Sequence, residues 1–86
     1  MITIFYTPSF LRQYNKLSKP LQEEVQQKID LFKQDPKHPF LKTHKLKGQM
    51  KGYYSFYVNY QYRVVFEYDS KKEVALLFVG DHDVYK

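Results

Sequence analysis

The chain contains no cysteine and no tryptophan, only three glycines and four prolines in 86 residues, and nine acidic side chains against fourteen basic ones. Without cysteine there can be no disulfide, no thiolate nucleophile and no cysteine-ligated zinc. No apolar run approaches the ~20 residues that a membrane-spanning helix needs. The opening MITIFYTPSF also lacks the basic segment that precedes the apolar stretch of a secretory leader. A cytoplasmic location with no membrane partner is therefore expected. Repeats, low-complexity tracts and flexible linkers are missing as well, so residues 1–86 are expected to form a single domain.

What is present is bulky and basic. Apolar residues make up 43% of the chain and aromatics 19%, too much hydrophobe for a disordered segment. A domain of this size buries only ~60% of its unfolded surface, so its margin of stability is thin. The net charge of +5 favours nucleic acid or an acidic protein as partner over a neutral metabolite, although small basic proteins are common.

Periodicity divides the chain at Asp35-Pro36-Lys37-His38-Pro39, where two prolines forbid helix continuation. Before it, Met1 to Tyr6 reads as a short strand. Thr7-Pro8 follows as a helix cap and first helical residue, with Phe10, Leu11, Tyr14 and Leu17 at helical spacing. Ser18 can cap a second helix with Leu21, Val25, Ile29 and Phe32 as its buried stripe and Glu24 and Lys28 as a supporting pair. The connection is short enough for an antiparallel helical hairpin. After the prolines the period becomes two. Tyr54, Phe56 and Val58 share one strand face, and Tyr62, Val64 and Phe66 share a face of the next. A polar turn at Asp69–Lys72 leads into the apolar run Val74–Val79, which fits a central strand buried on both sides. The expected fold is α+β, ordered β-α-α-β-β-β, with both helices on one face of a mainly antiparallel sheet. The opposite face is expected to be partly open, displaying Ser55, Tyr57 and Arg63, and such a surface suits an extended polyanion.

Several residues could carry chemistry. The segment Lys42–Gly52 holds four lysines and a histidine and no acid, as phosphate contacts require, though a solvated charged loop would look the same. Six of the nine tyrosines fall between Tyr53 and Tyr68, where they can pack across strands or stack on bases. Arg63 stands among apolar neighbours inside a strand and needs an acidic partner, such as Glu67 or Asp83, an edge position, or a functional anion. His82 lies between Asp81 and Asp83, which favour its charged form, and Tyr85 is close by in sequence. No second histidine stands at ligand spacing from it, so no metal is expected. His38, between two prolines, reads as loop.

The order of elements, together with His44-x-Leu46-x-Gly48, Gly52-Tyr53-Tyr54-Ser55, Tyr62-Arg63-Val64-Val65-Phe66 and Val79-Gly80-Asp81-His82-Asp83-Val84-Tyr85, resembles the RelE/ParE superfamily of bacterial and archaeal toxins along essentially the whole chain. It looks most similar to the RelE and YafQ type, mRNA interferases that act in the ribosomal A site. The resemblance implies the toxin of a type II toxin–antitoxin system that inhibits translation by cleaving mRNA without metal or cofactor. In that reaction the ribose 2′-hydroxyl attacks the neighbouring phosphate. Arg63 would stabilise the transition state, His82 would be general acid or base, and Tyr85 would orient the base or assist proton transfer. His44, with Lys45 beside it, would share the base role, while Lys42, Lys47, Lys51 and Tyr57 would hold RNA. The sequence departs from the YafQ pattern where Tyr57 replaces a second histidine and Gln61 an aspartate, and from RelE where His82 replaces an arginine. The resemblance also implies a separate, acidic antitoxin, through which alone operator DNA would be contacted. The alternatives are a ParE-like toxin acting on DNA gyrase without nuclease activity, and a degenerate member that only binds.

Overall fold

A computed structural model describes residues 1–81 of the chain. It contains strand β1 (Thr3–Tyr6), helices α1 (Pro8–Asn15) and α2 (Lys19–Gln34), and strands β2 (His44–Lys45), β3 (Tyr54–Tyr57), β4 (Tyr62–Ser70) and β5 (Glu73–Asp81). Short 3-10 turns at Pro39–Leu41 and Gly48–Met50 flank β2. No helix among the described residues is long and apolar enough to cross a membrane.

Both helices begin as their sequence dictates. The Thr7 hydroxyl accepts from the Phe10 amide at 3.2 Å and donates to the Leu76 carbonyl at 2.7 Å, so one side chain caps α1 and ties it to β5. Ser18 accepts from the Leu21 amide at 3.4 Å, and a proline follows each cap within the first turn. Reciprocal bonds between Tyr14 and Gln22, hydroxyl to carbonyl and amide to carbonyl, hold the corner between the helices.

The sheet runs β1-β5-β4-β3-β2. Three of its pairings are antiparallel, and β1 lies parallel to β5, so the sheet is mixed. The last strand returns to the first: successive antiparallel pairings from β2 to β5 leave β3 and β5 running in the direction of β1, and β5 is the one that pairs with it. β5 is an inner strand, as its apolar run requires, with Val74, Leu76 and Val79 in the core. Its register against β4 shifts between Val65 and Phe66. There the Val79 amide, past the end of β1, donates to the Gln13 side chain of α1 at 2.9 Å, so helix replaces strand as its partner.

The core lies between the helices and one face of the sheet. Phe32 of α2 stacks on Phe56 at 4.8 Å and meets the edge of Phe66 at 4.9 Å. Phe10, Val25 and Ile29 complete the helical side, and Val58, Val64, Val74 and Leu76 the strand side. Glu24, which helical spacing pairs with Lys28, accepts a hydrogen bond from Asn59 Nδ2 at 2.8 Å and thereby ties α2 to the β3–β4 hairpin. His38 is a loop residue as expected; its Nδ1 accepts from the Phe40 amide and caps the first 3-10 turn.

Candidate functional site

Paired residues on neighbouring strands share a face, and that rule places the site. His44 pairs with Ser55, Ser55 with Val65, and Val65 with Phe78, forming one row across the face away from the helices. Tyr57, Arg63 and Gly80 form the next row. Imidazole, phenol and guanidinium therefore lie side by side on β2, β3 and β4. This face is less open than alternation alone suggests. Ser55 is completely buried, and Tyr57 and Arg63 are half-buried. A two-atom side chain between His44 and Val65, with the Tyr57 ring two residues on, sits below the level of its neighbours. Ser55 Oγ has no hydrogen-bond partner among the described residues.

The β3–β4 turn holds Arg63. Asn59 Oδ1 accepts from the amides of Gln61 and Tyr62, both at 2.8 Å, which closes the turn. The Asn59 carbonyl then accepts from Arg63 Nη1 at 2.6 Å, and the Tyr62 carbonyl accepts from the same nitrogen at 3.0 Å. Two carbonyls thus fix one end of the guanidinium, whose carbon stands 4.6 Å from the centre of the Tyr57 ring. Lys42 Nζ lies 4.7 Å from that same centre. Two cations on one ring repel each other, and an anion between or beside them relieves that repulsion.

His44 is held by the backbone. Its Nδ1 lies 2.9 Å from the Lys42 carbonyl. A carbonyl only accepts, so in the neutral ring Nδ1 carries the proton and Nε2 the lone pair. The carbonyl is aimed there by the Lys42 backbone, which is left-handed with φ 47° and closes the Pro39–Leu41 turn through a bond from its amide to Pro39. That conformation costs a non-glycine residue on the order of 1 kcal/mol.

Lys42, His44, Tyr57 and Arg63 thus come together, and the other lysines do not join them. Lys45 pairs with Tyr54, whose ring stacks on Phe66 at 5.6 Å on the helix-bearing face. Lys45, Lys47 and Lys51 line a separate cavity of about 450 Å³ behind β2. His82 and Tyr85 lie outside the described residues. Gln61, where the resemblance leads one to expect an aspartate, donates from Nε2 to Asp81 Oδ2 at 3.1 Å and so joins the start of β4 to the end of β5. Sequence reasoning missed Asn59, whose place after Tyr57-Val58 in a polar hairpin turn was the available signal, and the backbone role of Lys42, for which lysine gives no signal.

Comparison with known proteins gives a consistent result. The family model described as HigB-like toxin, the RelE-like toxin of type II toxin-antitoxin system HigB, matches residues 12–82. No curated protein matches the chain in sequence. Among solved structures, the YoeB/ParE toxin from Agrobacterium tumefaciens superposes with a TM-score of 0.75 at 22% identity over 94% of this chain and 99% of that one. The toxin–antitoxin complex RelBE2 from Mycobacterium tuberculosis gives 0.78 at 19% identity, over 94% and 98%. YafQ from E. coli gives 0.78 at 17% identity, over 96% of each chain. Identities this low speak for the fold alone, whereas the family model matches residues 12–82, most of the chain, and on that ground the chain belongs to the HigB-like family of RelE-type toxins of type II toxin–antitoxin systems.

Proposed function

We propose that the protein cleaves mRNA in the ribosomal A site and so stops translation in the cytoplasm. The observation that carries this reading is one sheet face on which Arg63 and Lys42 flank the Tyr57 ring while His44, held at Nδ1, keeps Nε2 for a proton. RNA cleavage by its own 2′-hydroxyl needs a base, a cation for the phosphorane charge and an acid for the leaving oxygen. His44 Nε2 takes the 2′-hydroxyl proton as the 2′-oxygen bonds to phosphorus. Arg63, assisted by Lys42, stabilises the added negative charge, and Tyr57 stacks on a flanking base. The bond from phosphorus to the 5′-oxygen then breaks, and a proton passes to that oxygen. The products are a 2′,3′-cyclic phosphate and a 5′-hydroxyl. His82 is assigned the acid role and Tyr85 the orientation of its partner group. Neither a metal nor a cofactor enters this scheme.

Regulation follows the family. RelBE2 and the heterotetrameric YoeB–YefM complex from Staphylococcus aureus are toxin–antitoxin complexes. A separate acidic antitoxin is accordingly proposed here, covering the basic site face and making the operator DNA contacts.

The test is primer extension on mRNA from cells expressing the protein, with single-turnover cleavage on programmed ribosomes. Cuts within translated codons, ending in 5′-hydroxyls, are expected from the wild type. Arg63→Ala and His44→Ala should abolish them while their circular dichroism stays native. Intact mRNA accompanied by gyrase-dependent DNA breaks would overturn the reading in favour of a ParE-like action, and intact mRNA with ribosome binding retained would mark a binding-only member.

A further inference from the structure

The lysines that stand apart from the site face define a second surface. From Pro36 to Phe66 the chain carries no acidic residue, although it holds Lys37, Lys42, Lys45, Lys47, Lys51 and Arg63. Within this stretch the loop between β2 and β3 folds back on itself. The Leu46 amide bonds to the Tyr53 carbonyl at 2.9 Å, Lys51 to Gly48 at 3.1 Å and Tyr53 to Met50 at 3.1 Å. Gly48 and Gly52 adopt φ 68° and 96°, and an added Cβ at either would meet only open space. The turns therefore need glycine for their backbone angles, and neither position is filled from outside.

This loop encloses the cavity of about 450 Å³ described above, with the buried Leu46 at its base and the rings of Tyr53 and Tyr54 as walls. Tyr54 also borders a second depression of about 410 Å³, shared with Tyr68, Ser70 and Lys71. The Tyr54 and Tyr68 rings meet at right angles with centres 5.0 Å apart. Burial, and to a lesser degree Tyr54, push the Tyr68 phenol up, so it stays neutral and adds no negative charge. Two adjoining hollows thus share aromatic walls and have lysines on both sides. The first hollow lies across β2 from the proposed reaction site, since His44 and Lys45 project to opposite faces of a two-residue edge strand.

We propose that this corner binds successive nucleotides of a single RNA strand, with bases against Tyr53 and Tyr54 and phosphates on Lys45, Lys47 and Lys51, the strand crossing the β2 edge from the His44–Arg63 face. The proposal rests on the ribonuclease reading for the identity of the polymer. Aromatic walls with mobile ammonium groups suit bases and phosphates of any sequence. A peptide occupant would look for backbone partners, and the amides of Leu46, Lys51 and Tyr53 along this wall are already paired within the loop. The arrangement sets affinity and the path of the strand, while the chemistry stays on the other face.

The test is fluorescence anisotropy of the full chain with labelled 2′-O-methyl oligoribonucleotides, which cannot be cut, across a salt series. Lys47→Ala/Lys51→Ala should weaken an octanucleotide at least tenfold. It should also reduce the slope of log affinity on log salt by about 1.4, two phosphates at ~0.7 each. A dinucleotide, which fills only the Arg63 face, should bind as to the wild type. Tyr53→Leu should weaken the octanucleotide about tenfold with an unchanged salt slope, since it removes stacking and not charge. Unchanged octanucleotide affinity in both variants overturns the proposal. So does lysine-dependent binding of adenosine monophosphate or of a Glu-rich peptide without any effect on the octanucleotide, which would assign the hollow to a free nucleotide or to a protein. The two readings fail separately. Lysine-dependent binding by a wild type that cuts no RNA overturns the ribonuclease reading and keeps a nucleotide-binding corner; normal cleavage with unaffected binding overturns only the corner.

Discussion

On the helix-bearing face of the sheet, β3 and β4 present Phe56, Val64 and Phe66, which close around Phe32 and exclude water. On the other face the alternate residues of the same two strands, Ser55, Tyr57 and Arg63, line up with His44 of β2. One set is apolar and complementary in shape; the other is polar, with Arg63 and His44 held by backbone carbonyls. Because strand side chains alternate, a slip of one residue would exchange the sets entirely, so the packing that fixes the register also fixes the site. Stability and chemistry should therefore respond to different substitutions a few ångströms apart.

The largest effect should come from the packed side. Phe32 is fully buried and touches both strand phenylalanines. Phe32→Ala should cost about 3–5 kcal/mol, a large share of the ~5–15 kcal/mol typical of a small domain. Chemical denaturation would measure it, and a loss below 1 kcal/mol would mean that the helix side does not hold the register.

Arg63→Lys is the converse. It keeps a positive charge but loses the flat fork, one nitrogen of which bonds two carbonyls and leaves the rest of the guanidinium to meet an anion. Cleavage should fall on the order of 10²–10³-fold, the usual cost of one transition-state donor, while the denaturation midpoint moves little. A near-wild-type rate would show that a point charge suffices and that the guanidinium geometry is not used.

Asn59 belongs to both sides, since it bonds Glu24 of α2, closes the turn and holds Arg63. Asn59→Ala should cost about 1.5–3 kcal/mol for the lost charge-assisted bond and turn closure, together with roughly tenfold in rate. Asn59→Asp keeps the turn acceptor and sets a carboxylate against Glu24. It should therefore lose stability while retaining most of the rate, and if both fall together the tie to α2 itself orients Arg63.

How far this division could be read beforehand follows from the residues. Thr7, Ser18 and their prolines announced both helices because caps act over three residues. The 2-period of Tyr54–Val58 and Tyr62–Phe66 announced which side faces the helices, since burial imposes it. β2 was not legible, because two residues carry no period, and so the separation of Lys45 from His44 was not legible either. The parallel β1–β5 pairing depends on contacts seventy residues apart, as between Thr3 and Glu73, beyond any local pattern, and the β5 register shift leaves no mark on the apolar run. Family likeness pointed to Arg63 and His44. It could not say that the Lys42 carbonyl, through a left-handed lysine, would select the imidazole tautomer.

Ser55 gives the smallest and most discriminating test. Its hydroxyl is buried directly opposite His44 and has no hydrogen-bond partner among the described residues. A hydroxyl left in that state costs about 1–3 kcal/mol. Ser55→Ala removes the burden and one small atom, so a net gain of about 1 kcal/mol is expected. In a domain of this size that is a rise of roughly 4–8 °C in Tm. Turnover should stay within about threefold, because the scheme gives Ser55 no proton to move. A fall in Tm would show that the hydroxyl finds a partner in solution. His44, across the pair, would be the first candidate, and Ser55 would then belong to the machinery that orients the base rather than to the packing beneath it.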